Sequence, residues 1–120
     1  NFSISNKGYN RGPHRDRDSR IFSFLIYLNN LHKTDGACLE LYNVKKNVNY
    51  SKERFLPKKR LKLFKRIRPS AGKMIIFASS PNSYHSVSNF YAIKNKSRYF
   101  IYGSFSLNKK VVWKVSHNGN

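Results

Sequence analysis

The sequence predicts an all-β domain, a sandwich or barrel, and three observations carry that expectation. Segments rich in aromatic and β-branched residues recur, several of them with period-two alternation. Gly, Pro, Asn and Ser turn signals separate them at short intervals. Helical periodicity is scarce throughout the 120 residues. A chain of this length makes one domain and buries roughly two-thirds of its unfolded surface. Its 39% hydrophobic and 15% aromatic content separates it from a disordered basic tail.

Taken in order, the first strand spans 21–28, apolar on both faces, and stops at Asn29-Asn30. Something must cover its outer side. The second, 38–44, alternates cleanly after the turn signal Asp35-Gly36. A third, 73–78, follows Pro69 and Gly72. A short one at 83–87 and a long aromatic one at 98–105 come next, with a last candidate at 110–115. The stretch 45–68 differs. It holds 11 Lys and Arg against one acid, Glu53, and its apolar residues are scattered. It reads as a long basic loop with a short helix or an irregular strand near 60–68.

The charge is extreme: 24 Lys+Arg against 5 Asp+Glu, or +19. A field of that size attracts polyanions whatever the fold, so nucleic acid is the first partner to consider. Fifteen Lys beside 14 Asn equally fit a chain whose composition alone is biased. One Cys excludes a disulfide scaffold and a Cys-rich zinc module, and Cys38 is expected to pack as a small apolar residue. Apolar runs reach only about five residues against the ~20 a bilayer span requires, so no membrane helix is expected. Residues 1–20 lack the apolar centre of a signal peptide, and the expectation is a cytoplasmic protein. The chain begins at Asn1, which suggests a fragment or a processed product.

The chemistry concentrates at Pro13-His14-Arg15-Asp16. On a strand, residues two apart share a face, so His14 and Asp16 reach one metal ion. A third ligand is then needed. His32 sits in a polar turn and His117 in a polar tail, which leaves His85, behind the strand at 73–78. Two His and one carboxylate form the facial triad of non-haem Fe(II) sites. Each residue also has a plainer reading: His85 as a core or turn histidine, Asp16 as a solvated acid paired with Arg15 or Arg17. Thirteen positions after His85 comes Arg98, sharing a strand face with Phe100 and Tyr102. A guanidinium in such a pocket captures a carboxylate bidentately; the plainer reading is a strand-end arginine in solvent.

The stretches 12–44 and 66–106 resemble the double-stranded β-helix, or jelly-roll, core of the 2-oxoglutarate- and Fe(II)-dependent dioxygenases, close to the prolyl-4-hydroxylase-like branch. The resemblance rests on Pro13-His14-Arg15-Asp16, on the strand from Arg20 to Tyr27, Leu28 and Asn29, and on Gly36 with Leu39-Glu40-Leu41. It continues through Pro69, Gly72, His85-Ser86-Val87 and Arg98-Tyr99-Phe100 in the family's order. It implies that His14, Asp16 and His85 bind Fe(II) and that Arg98 holds the distal carboxylate of 2-oxoglutarate. It further implies hydroxylation of a substrate by O2 with release of succinate and CO2, with ascorbate as a supporting reductant. Ser5 stands where relatives often carry a tyrosine, Tyr9 lies nearby out of register, and Phe100 stands where a small hydroxyl residue is common. The N-terminal helices that buttress relatives have no counterpart here, so the expectation is the catalytic core of a longer protein.

Residues 1–108 are thus expected to form the oxygenase core with a basic insertion at 45–68, and 109–120 a C-terminal strand or tail. The Arg11, Arg15, Arg17 and Arg20 cluster and the 45–68 segment favour an anionic or polymeric prime substrate. Arg15 and Arg17 alternate with the two ligands and should face away from the metal. The alternative is a basic β-helix module that binds nucleic acid or other polyanions without catalysis. A metalloenzyme of the cupin type is disfavoured by Arg98. The sequence fixes neither the substrate nor the oligomeric state.

Overall fold

The computed structural model describes residues 1–45, 53–108 and 110–114. Eight strands follow one another: β1 (Phe2–Ser5), β2 (Arg11–His14), β3 (Arg20–Tyr27), β4 (Leu39–Val44), β5 (Leu61–Ile67), β6 (Met74–Ala78), β7 (Tyr84–Val87) and β8 (Arg98–Ser106). A 3-10 turn, Lys58–Arg60, precedes β5, and no α-helix occurs among the described residues. Antiparallel pairing sorts the strands into two sheets of four, ordered β1-β8-β3-β6 and β2-β7-β4-β5. This is the jelly roll, with no N-terminal helix among the described residues.

Five of the expected strands lie within a residue or two of β3, β4, β6, β7 and β8. The candidate at 110–115 does not form a strand over 110–114, while Val115 and His117 lie outside the described residues. Instead Val112 N donates to Asp18 O at 2.8 Å and Trp113 Nε1 to Arg20 O at 3.1 Å. The tail therefore clips the loop that leaves β2.

Strand alternation gives each sheet two unlike faces. In the first sheet Ser23, Leu25 and Tyr27 of β3 face inward opposite Ser104, Tyr102 and Phe100 of β8. Leu25 and Tyr27 meet Leu39 of the second sheet in the buried core between them. The outward face carries Phe22, Phe24 and Ile26 opposite Phe105, Gly103 and Ile101. A Cβ on Gly103 would lie 2.4 Å from the Phe24 ring, so only glycine leaves that ring its place. The expected cover is missing from the described residues: Phe2, Ile4, Met74, Ile76 and Phe105 are all more than half exposed.

The second sheet is closed on its outer side by the stretch expected as a basic insertion. Leu56 packs with Tyr42, Leu61 and Tyr84 in a buried cluster. Arg15 N donates to Arg54 O at 2.8 Å and Leu56 N to Pro13 O at 3.3 Å, pinning this segment against the end of β2. The same stretch then supplies β5, an edge strand whose Lys62 and Lys65 are exposed, which discourages pairing with another chain. Residues 46–52 of the segment lie outside the described residues.

At the expected Asp35-Gly36 turn, Gly36 takes φ +77°, and a Cβ there would meet Asn89 O at 2.0 Å. Only glycine permits that approach, which brings Ala37 N to Asn89 O at 3.0 Å and starts β4 in register with β7.

Candidate metal centre

β2 ends at His14, and its antiparallel partner across the pair is His85 on β7. Cross-strand partners project to one face, so the two imidazoles meet with ring centroids 4.4 Å apart. Asp16 lies beyond the strand end, not on a regular strand as its spacing suggested. Its carboxylate nevertheless returns to the same face, with Oδ1 3.9 Å from His85 Nε2. One ligand atom from each of the three residues lies within 4.8 Å of the others, and all three residues are buried.

Backbone and side-chain hydrogen bonds fix the donor atoms. His14 Nδ1 lies 2.9 Å from Gly12 O and His85 Nδ1 3.1 Å from Ser83 O. A carbonyl only accepts, so Nδ1 carries the proton in both rings and Nε2 presents its lone pair to the centre. Asp16 is held not by Arg15 or Arg17 but by Ser23 Oγ, which donates to Oδ2 at 2.6 Å, and by Arg20 Nη1 at 3.1 Å from Oδ1. Arg20 reaches inward because a bulge separates it from Phe22: the two share parity along β3, yet Phe22 faces outward. Arg15 faces away, as alternation suggested, but it is buried, donating to Pro81 O and stacked between the Tyr84 and Trp113 rings.

Both histidines are held neutral. Burial lowers the His14 pKa from 6.5 to about 4, and the neighbouring His85 and Arg11 add to the drop. The Gly12 hydrogen bond and Asp16 oppose it without reversing it. Burial likewise lowers the His85 pKa, against the pull of Asp16. Neutral imidazoles with their lone pairs turned inward, beside a carboxylate, are the donor set of a divalent metal.

The three residues open onto a cavity of about 290 Å³. Its wall includes the apolar Leu25, Leu39, Phe77, Val87 and Phe100 beside charged and polar groups. Arg98 lines the same cavity although it is only 1% exposed. Its Cζ lies 4.2 Å from the Phe100 ring centroid and 5.3 Å from that of Tyr27. Among the described residues, Arg98 Nε and Tyr27 Oη are both buried without a hydrogen-bond partner. A buried guanidinium N–H with no acceptor in good geometry is costly unless one from outside the chain satisfies it. Tyr9 and Ser3 also reach the cavity, whereas Ser5 is buried. Cys38 is buried, and burial raises its thiol pKa, so it stays protonated.

The profile of the 2OG-Fe(II) oxygenase superfamily matches residues 1–106. The chain belongs to that superfamily. Among solved structures, this superfamily member is similar to a Pseudomonas putida prolyl-4-hydroxylase, with a TM-score of 0.62 and 22% sequence identity. The match covers 89% of this chain and 50% of that one, so the chain spans about half the length of that relative. At this identity the likeness is one of fold. No curated protein matches. Among the described residues no helix is long and apolar enough to cross a membrane.

Sequence reasoning brought His14, Asp16, His85 and Arg98 to notice, and they share one cavity. It gave no role to Ser23 or Tyr27, placed Tyr102 only on the strand face of Arg98, and named Arg11 and Arg20 only as part of a basic cluster. No spacing rule distinguishes an inward from an outward arginine when a bulge decides the matter.

Proposed function

We propose that the protein is a hydroxylase dependent on Fe(II) and 2-oxoglutarate. The observation that carries this reading is the buried Arg98, without a carboxylate partner among the described residues, in the cavity onto which His14, Asp16 and His85 converge. His14 Nε2, His85 Nε2 and the Asp16 carboxylate would hold Fe(II). Arg98, with the Tyr27 hydroxyl beside it, would hold the distal carboxylate of 2-oxoglutarate and so satisfy the buried guanidinium. Fe(II) with 2-oxoglutarate and O2 supplies the oxidising chemistry for a C–H bond, releasing succinate and CO2. Everything else falls to the chain: Ser23 and Arg20 orient Asp16, and the two backbone carbonyls fix the histidine tautomers.

A binding module for polyanions gives no reason to bury three metal-type ligands and an unpaired arginine, because polyanion contacts are made at the surface. Anaerobic titration of the protein with Fe(II) and 2-oxoglutarate tests the proposal. The expected result is a weak visible charge-transfer band that is lost in His14→Ala and His85→Ala. In Arg98→Ala the band should need at least tenfold more 2-oxoglutarate, with iron affinity little changed. A folded protein that gives no band overturns the reading.

A further inference from the structure

Four arginines line the cavity, Arg11, Arg20, Arg54 and Arg98, and Asp16 is the only carboxylate among the described lining residues. Two of the four are accounted for. Arg20 is engaged by Asp16 and the Tyr102 hydroxyl, and Arg98 is assigned above to 2-oxoglutarate. The charges of Fe(II) and doubly ionised 2-oxoglutarate cancel, so loading the site leaves the excess of cation in place. Arg54 has no carboxylate partner among the described residues; its Nε donates to Arg15 O at a long 3.4 Å and its Cζ stands 5.6 Å over the Phe55 ring.

Arg11 is the more telling group. Its Nε lies 3.1 Å from His14 Nε2, the nitrogen whose lone pair faces the metal centre. That nitrogen has one lone pair, so a metal ion and the Arg11 donor cannot share it. Metal binding therefore releases a guanidinium at the edge of the site; Glu40, which lines a neighbouring pocket with Arg11, is already paired with Arg66 at 2.9 Å and Lys58 at 3.9 Å. A cation freed into a half-enclosed cavity favours an oxyanion from outside.

We propose that Arg11 and Arg54 form an anion clamp at this site, so that the prime substrate carries a carboxylate or phosphate group close to the bond that is oxidised. The inference rests on the reading of the site as a metal- and 2-oxoglutarate-binding centre. It also makes Arg11 a placeholder that yields its hydrogen bond when the metal arrives.

The test loads the protein anaerobically with Mn(II) and 2-oxoglutarate, then titrates inorganic phosphate and, separately, acetate by calorimetry at fixed ionic strength. Saturable binding is expected, weakened about tenfold or more in Arg11→Ala and in Arg54→Ala, the loss of one charge-assisted hydrogen bond. Lys33→Ala, an exposed cation outside the cavity, should stay within about twofold of wild type. The tighter of the two anions identifies the source of the charged group. Arg11→Ala should also tighten Mn(II) itself, because its guanidinium competes for His14 Nε2; a merely structural arginine would loosen the metal. Anion affinity indifferent to both arginines, with Mn(II) and 2-oxoglutarate still bound, overturns the clamp and leaves the metal reading intact. Failure of Mn(II) to bind overturns the metal reading itself, and with it the release of Arg11 on which the clamp depends, a result distinct from loss of the clamp in a metal-loaded site.

Discussion

At the scale of residues, the centre is built from groups whose ionisation is set by burial. An ordinary imidazole is largely protonated at pH 6 and must surrender a proton to a metal. His14 and His85 have already surrendered theirs. Metal affinity should therefore change little between pH 8 and 6 and fall steeply toward pH 4, as followed by Mn(II) binding. A decline centred near 6.5 would show that the rings are not buried as described. Folding stability follows with the same sign. A histidine whose folded pKa is lowered takes up its proton more readily in the unfolded chain, so its contribution is full above about pH 6.5. That contribution is lost as pH falls toward 4. For His14 the drop from 6.5 to about 4 corresponds to ~3 kcal/mol. The candidate ligands were legible in the sequence because few residue types bind Fe(II) and a His-x-Asp spacing is visible without a structure. The groups that orient them were not. Ser23 is one hydroxyl among many, and Arg20 turns inward only because of a bulge that no local signal announces.

At the scale of elements, legibility followed burial pattern. β3, β4 and β8 have apolar or alternating sequences bounded by turn residues, and their limits could be read to within a residue or two. β5 shows no alternation because nearly all of it is exposed along a sheet edge, so it reads as irregular. β1 has four residues and exists by pairing with β8 across about a hundred positions, Phe2 with Ile101, which no local window contains. The segment around Leu56 presents basic residues to solvent and a single apolar anchor to the second sheet. Leu56→Ala should cost roughly 2–4 kcal/mol by chemical denaturation, typical of a truncated core leucine. Because the same segment pairs with the end of β2 at Pro13 and Arg15, the loss should also weaken metal binding. A surface-like cost under about 0.5 kcal/mol would mean that the segment does not close the sheet.

At the scale of the whole molecule, two features oppose each other. The outer face of the first sheet is a continuous apolar surface from Phe2 and Ile4 through Phe105 to Ile76 and Met74, which favours association. The +19 charge resists it by repulsion. Salt screens the second and not the first, since the Debye length falls from ~10 Å at 0.1 M to ~3 Å at 1 M. The chain should therefore be least associated at low ionic strength and should self-associate and bind hydrophobic dyes as salt rises, as sedimentation and fluorescence would show. Dissociation with rising salt would place the contact on charged groups instead. Among the described residues the basic side chains lie along the edge strand β5, in the cavity and in exposed turns, with Arg15 buried between Tyr84 and Trp113.

The central claim is that His14, Asp16 and His85 hold one divalent iron. Anomalous diffraction at the iron edge, from crystals grown anaerobically with Fe(II), tests it most directly. The account predicts a single strong peak bonded to His14 Nε2, His85 Nε2 and the Asp16 carboxylate, with Arg11 withdrawn from His14. A peak elsewhere, or none in crystals of the folded protein, would contradict it.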